Sequence, residues 1–136
     1  MRRATWLWIV ALLGLLAGPA LAGSTLTIRL VEASNKGGGV SAELRDVADL
    51  LQNNLPFKAF QLLATKSVRL PASGDIDLGR GFTAHCEGPQ RNLAVRVIRD
   101  RKPVLDSTVE LQDGTPLILG GFPADGGKMI VILLVR

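Results

Sequence analysis

The chain has 136 residues, and its sixteen lysines and arginines outnumber its twelve aspartates and glutamates, for a formal net charge of +4. Two of the arginines and both tryptophans fall in the first eight positions, so the rest of the chain has a net charge of about +2 and four phenylalanines as its only aromatic residues. This composition offers neither the basic surface nor the stacking platform of a nucleic-acid-binding protein.

Residues 1–22 have the layout of a secretory signal peptide. Two arginines near the start precede an apolar run over residues 6–16, and Ala20 and Ala22 match the A-x-A cleavage motif. The run is short for a membrane-spanning helix, which disfavours the alternative of an uncleaved anchor. We therefore expect export to the periplasm or beyond and cleavage after Ala22. Membrane contact is then limited to the signal peptide, and residues 23–136 form a single β-rich domain.

The first predicted elements of that domain are a strand and a helix. Leu26, Ile28 and Leu30 alternate with polar residues, which is the period of a half-buried strand. After a predicted loop over residues 32–39, apolar residues recur at helical spacing over residues 41–53. The sequence therefore predicts one amphipathic helix near the mature N-terminus.

The loop before this helix is a candidate site. Lys36 precedes Gly37, Gly38 and Gly39, and Ser41 occupies the predicted N-cap position of the helix. Bare backbone N–H groups, a helix N-terminus and a lysine together can bind an anion. The spacing is not that of a Walker A motif. The loop therefore indicates a general anion or small-ligand site or, alternatively, a flexible connection.

From residue 57 onward the hydrophobic period changes to two, and turn residues recur at intervals of about ten positions. An antiparallel sandwich or a partly open barrel gives this pattern. With its single helix, the domain is predicted to be α+β and dominated by β-strands. The residues predicted to face the core are Phe60, Leu62, Ala64, Val68, Leu70, Ile76, Leu78, Phe82, Ala84, Cys86, Leu93, Val95, Val97, Leu105, Val109 and Leu111.

Two groups of reactive side chains lie on these predicted strands. His85 and Cys86 are adjacent, so they point to opposite faces of a strand and cannot form a thiolate–imidazole pair with each other. Cys86, the single cysteine, is predicted to be buried and unreactive. Asp75 and Asp77 share one strand face, which favours a solvated surface over a carboxylate-dependent hydrolase. Neither group has the ligands of a zinc or calcium site, so no metal and no cofactor is predicted.

The last predicted strand is the most apolar stretch of the mature chain. Residues 129–135 read Met-Ile-Val-Ile-Leu-Leu-Val, a pattern typical of a strand covered on both faces. One face is predicted to pack on the core, and the other is covered either by the helix over residues 41–53 or by another chain. In the second case Val131, Ile132 and Leu133 form the predicted partner interface.

The segment that leads into this strand has a recognisable order of elements. Residues 109–122 read Val-Glu-Leu-Gln-Asp-Gly-Thr-Pro-Leu-Ile-Leu-Gly-Gly-Phe. They predict a strand, an Asp-Gly turn, a short apolar strand and a glycine-rich loop before the last strand. Together with that strand, this order resembles a segment of bacterial outer-membrane secretins. The resemblance implies an accessory module of the cell envelope, because residues 23–136 leave no room for the channel-forming region of a secretin.

The sequence therefore favours an exported, non-enzymatic binding or assembly module of the bacterial cell envelope. Its expected partner is an envelope protein or a second copy of the chain, because an apolar strand at a sheet edge can accept a strand from another protein. The alternative function is anion or small-ligand binding by the loop at residues 36–41. A hydrolase that uses Asp75 and Asp77 is the least favoured.

Overall fold

Two β-sheets form the part of the chain that the computed structural model describes, residues 24–136; the predicted cleavage site lies outside the described residues. The strands are β1 (Thr25–Ser34), β2 (Gly39–Val40), β3 (Ala59–Arg69), β4 (Ala72–Gly79), β5 (Phe82–Gly88), β6 (Leu93–Arg99), β7 (Lys102–Val109), β8 (Leu117–Ala124) and β9 (Gly127–Val135), with a short 3₁₀ helix, Gln90–Asn92, before β6. Sheet A has the strand order β2-β3-β1-β9-β8, and sheet B has the order β4-β5-β6-β7. The predicted α+β class, a β-dominated sandwich, is confirmed.

One helical segment follows β2 and covers part of sheet A. It begins as a 3₁₀ helix, Ala42–Val47, and continues as the α-helix α1, Ala48–Asn54, close to the predicted bounds. Ser41 precedes this segment but its side chain does not cap it. The Ser41 hydroxyl instead donates to the carbonyl oxygen of Phe60 and accepts the backbone N–H of Leu62 at 3.1 Å. Ser41 therefore ties the start of the segment to β3.

The apolar side chains form two cores, one on each face of sheet A. The inner core lies between the two sheets, and β1 contributes Leu26, Ile28 and Leu30 to it. The outer core lies under the helical segment, and β1 contributes Val31 and Ala33 to it. The buried positions of β1 therefore change parity after Leu30, because the helical segment covers the outer face only from that point onward.

Strand β9 is the central strand that joins the two cores. It lies between β1 and β8, and all residues from 129 to 135 are buried. Val131 and Leu133 belong to the inner core, whereas Ile130 and Ile132 belong to the outer core. The prediction of a strand covered on both faces is confirmed, and the helical segment supplies the outer cover.

Three connections differ from the prediction. The expected loop over residues 32–39 is shorter, because β1 continues to Ser34 beside β9. The glycine pair at residues 120–121 does not start a loop but lies within β8 at a bulge, with φ values of +104° and +112° that suit glycine. The Asp-Gly turn at residues 113–114 does not close a hairpin, because the strands that it connects, β7 and β8, belong to different sheets.

Candidate functional site

The predicted partner interface on the last strand lies inside the molecule. Val131, Ile132 and Leu133 each have 0% of their surface exposed. Strands β1 and β8 pair with β9 along its two sides. Another chain has no access to these residues in the folded protein, so a site for strand binding has to lie at a sheet edge.

The predicted anion site at the glycine-rich loop is only partly assembled. One depression of about 290 Å³ is lined by all the residues predicted for this site: Lys36, Gly37, Gly38, Gly39 and Ser41. The Ser41 hydroxyl is already engaged by β3, and the Lys36 side chain lies against Gly126 in the β8–β9 turn. Glu32 lines the same depression, and its negative charge opposes an anion there. Anion binding by this loop stays a prediction.

The two paired carboxylates of β4 lie on the solvent face of sheet B. The Asp77 carboxylate accepts the backbone N–H of Gly79 at 2.9 Å. The Asp75 carboxylate is hydrogen-bonded to His85 on the neighbouring strand. Both aspartates are exposed, and their oxygens take part in local hydrogen bonds.

A row of charged side chains crosses sheet B from one edge to the other. Asp75, His85, Arg96 and Asp106 come from β4, β5, β6 and β7, and each lies directly opposite the next in the strand register. Arg96 Nη2 donates to Asp106 Oδ2 at 3.2 Å, and His85 Nε2 lies 3.0 Å from the Glu87 carboxylate. The row ends at Asp106 on β7, where its carboxylate is exposed at the edge of the sheet.

The two carboxylates around His85 determine its chemistry. Hydrogen bonds with Asp75 and then with Glu87 raise the pKa of His85 above its usual value. Both ring nitrogens lie within hydrogen-bond distance of a carboxylate, an arrangement that favours the protonated ring as a cation between two anions. In residues 24–136, no group of three His, Cys, Asp or Glu side chains has an arrangement suited to a metal ion.

Cys86 lies on the opposite face of β5 from His85, as predicted. Its side chain is fully buried in the inner core. Burial raises the pKa of the Cys86 thiol to about 11, because the charged thiolate would lose its solvation. The prediction of a buried cysteine is confirmed.

A second charge cluster, which the sequence did not reveal, fastens the helical segment to sheet A. Asp46 accepts Arg29 Nη1 at 2.9 Å and Arg136 Nη2 at 3.0 Å. The hydrogen bond from Arg29 lowers the pKa of Asp46 most, and the charge of Arg136 adds to the effect. The three residues are far apart in the chain, so no local spacing could indicate this contact. The cluster links the helical segment to β1 and to the residue that follows β9.

Three of the four edge strands carry features that hinder pairing with another chain. Strand β2 has only two residues and pairs only with the start of β3, so residues 61–69 of β3 form the rest of that edge. This part of β3 has a bulge at Leu63 and carries Lys66. Strand β8 is interrupted by its bulge at residues 120–121 and carries Pro123, which has no N–H to donate. Strand β4 has Gly74 at φ +141°, outside the normal range for a strand, and would place the charges of Asp75 and Asp77 beside an added strand.

Strand β7, at the other edge of sheet B, is different. Its bulge at Pro103 and Val104 interrupts only the beginning of the strand, and residues 105–109 pair with β6 in regular register. This run contains no glycine, proline or lysine. Leu105 and Val109 face the inner core and are half-buried. The side of residues 105–109 that faces away from β6 is therefore a regular strand edge, here called the β7 edge. No other strand among residues 24–136 pairs with it.

One apolar side chain beside the β7 edge is exposed. Val104 is 43% exposed, which makes it the large apolar side chain most open to solvent in the described part of the chain. Sequence reasoning predicted the inward positions of Leu105 and Val109 but not that their strand lies at an edge. Strand order depends on which sheets the connections reach, and residues 110–116 lead to sheet A instead of back to sheet B.

No protein-family model, curated protein or solved structure matches this chain. Among residues 24–136, no helix has the length and apolar character needed to cross a membrane.

Proposed function

We propose that this protein is an exported, non-enzymatic assembly module of the bacterial cell envelope, and that it binds a protein partner by adding a strand to the β7 edge. The observation that carries this proposal is the regular run of residues 105–109 at an edge of sheet B, while the other edges are short, bulged or kinked or, on β3, carry Lys66 and Arg69. Strand addition uses backbone N–H and C=O groups, so it needs an uninterrupted edge of this kind. The secretin-like order of residues 109–135 supports a location in the envelope.

The side chains of the β7 edge specify the kind of strand that fits. On the inner face, Leu105 and Val109 flank Ser107, so the added strand needs apolar or small residues there. On the outer face, Asp106 ends the charge row and Thr108 is exposed. A basic or hydroxyl-bearing residue opposite Asp106 is favoured, because opposite charges and hydrogen bonds across strands are stabilising.

A charge placed on the inner face of the β7 edge tests the proposal. Natural edge strands use inward-pointing charges to prevent pairing, and Ser107→Lys introduces one at a half-buried position. Ser73→Lys makes the same chemical change at an exposed position of β4, at the opposite edge of sheet B, and is the control for the added charge. The tagged protein is cross-linked in the envelope, and its partner is identified by mass spectrometry. We expect Ser107→Lys to lose the partner and Ser73→Lys to keep it; equal capture by both variants would contradict the proposal.

Export has a separate test in the mass of the mature protein. Cleavage after Ala22 predicts a chain that begins at Gly23 and is recovered without the membrane. Intact-mass measurement of the protein in cell fractions checks this. A membrane-bound species that retains residues 1–22 would rule out a cleaved domain that is free of the membrane.

A further inference from the structure

We infer that the strand added to the β7 edge is β7 of a second copy of this chain, in an antiparallel pair centred on Ser107. The inference rests on the proposed function and names its partner. A two-fold axis perpendicular to sheet B, at Ser107, would join two four-stranded sheets into one sheet of eight strands. The inner faces of both sheets then stay on the same side, so the two inner cores become continuous along the new strand pair.

The side chains of the β7 edge are complementary to themselves in this register. Leu105 lies opposite Val109 of the second copy, which places two half-buried apolar side chains together on the inner face. Asp106 lies opposite Thr108 of the second copy, and the hydroxyl can donate to the carboxylate on the outer face. Ser107 lies opposite Ser107 on the axis. No like charges face each other, and Asp106 keeps its hydrogen bond from Arg96.

Neighbouring registers of the same pair are less favourable. A centre at Asp106 places two carboxylates directly opposite each other, and a centre at Thr108 places Asp106 opposite Glu110 of the second copy. A centre at Leu105 brings Pro103 and the bulge into the pair. Only the strand pair centred on Ser107 includes all of residues 105–109 and avoids these conflicts.

The contact is small, so the dimer should depend on concentration. Five residues on each side bury less than the roughly 1,200–2,000 Å² of a standard interface. The positive net charge of each copy, about +2 without the signal peptide, adds a modest repulsion that salt screens. We expect a monomer–dimer equilibrium and not a permanent dimer.

Sedimentation of the exported, purified protein at concentrations from about 1 μM to 1 mM measures that equilibrium, a range that covers weak association. The expected result is a dimer that appears with concentration in the wild type and in Ser73→Lys and is lost in Ser107→Lys. A wild type that stays monomeric throughout, or a dimer that Ser107→Lys leaves unchanged, would overturn the inference.

Cross-linking tests the register independently and covers the case in which Ser107→Lys does not fold. In a Cys86→Ala background, Ser107→Cys places two thiols opposite each other on the axis, where strand pairs about 4.5–5.5 Å apart allow a disulfide. Thr108→Cys, the control, lies opposite Asp106 and not opposite itself. We expect an oxidised dimer from Ser107→Cys and loss of it in Thr108→Cys. Equal yields from both variants would contradict the register.

The two proposals can fail separately. If the wild type is monomeric but Ser107→Lys still loses an envelope partner that Ser73→Lys keeps, the β7 edge binds a different protein and only the inference fails. If Ser107→Lys keeps the envelope partner as well, the proposed function also fails.

Discussion

Strands β9 and β7 occupy opposite situations in the same sandwich. β9 has a paired strand on each side and a core against each face, and residues 129–135 are all buried. β7 has one paired strand among the described residues and one packed face, and its half-buried and exposed side chains alternate over residues 104–109. The strand with the most apolar side chains is thus the least accessible, and the strand with an ordinary alternating pattern has an edge that no strand among residues 24–136 covers.

This difference separates two properties that are easily confused. Apolar side chains on both faces indicate that a strand is covered on both faces, because each apolar face has to pack against its own layer. Accessibility for another strand depends on unpaired backbone groups at an edge, which side-chain hydropathy does not report. In this protein the covering layers of β9 come from sheet B and the helical segment. Its apolar pattern is therefore explained without any partner.

The largest effect is expected from charges placed in β9. Val131→Asp removes a side chain from the inner core, and Ile132→Asp removes one from the outer core. Each loses roughly 1.5–3 kcal/mol of apolar burial and adds the cost of a buried charge, against a typical total stability of about 5–15 kcal/mol. We expect both variants to be largely unfolded by circular dichroism and urea titration.

The matched control for these variants is Val104→Asp in β7. Val104 is 43% exposed, so the same new carboxylate stays in water. Its free energy of unfolding should stay within about 0.5 kcal/mol of the wild type. If Val131→Asp or Ile132→Asp were as stable as this control, the central position of β9 would be wrong.

A smaller effect is expected from Cys86, which lies in the inner core on β5. Cys86→Ala leaves a small cavity and should lower the free energy of unfolding by about 1 kcal/mol. Because the thiol is buried and its pKa is raised to about 11, a thiol reagent should modify it only after denaturation. Labelling of the native protein as fast as that of the denatured protein would show that this part of the core opens readily.

The smallest effect concerns the charge row that ends at β7. The pKa of His85 is raised in the folded protein, so the ring stabilises the fold most below its ordinary value of 6.5, and this contribution disappears as pH rises through the folded pKa. The side chain is 34% exposed, so the gain should stay below about 1 kcal/mol. The stability difference between wild type and His85→Gln should be larger near pH 6 than near pH 9. A difference independent of pH would mean that the contacts with Asp75 and Glu87 do not form.

Sequence periodicity was sufficient for features that depend on burial. The inward positions of Leu26, Phe82 and Cys86, the extent of the helical segment and the two covered faces of β9 all follow from side-chain hydropathy at fixed spacing. Each of these features is a local pattern that a single strand or helix has to satisfy wherever it lies.

Features that depend on register or strand order could not be predicted in this way. A regular β4–β5 hairpin around its two-residue turn would place Asp75 opposite Cys86, but Leu78 is an extra residue at a bulge and shifts Asp75 opposite His85. The contact of Asp46 with Arg29 and Arg136 joins distant parts of the chain. The free edge of β7 likewise follows from the strand order of the complete fold.

Hydrogen exchange of the backbone amides at two protein concentrations tests the β7 edge most directly. Residues 127–133 of β9 are paired with β1 on one side and β8 on the other, so their amides should exchange slowly at either concentration. Those amides of residues 105–109 that point away from β6 should exchange quickly in dilute protein and become protected in concentrated protein, as the second copy pairs with them. Exchange in residues 105–109 that does not change with concentration, or protection that instead appears along β4 or β8, would contradict the account.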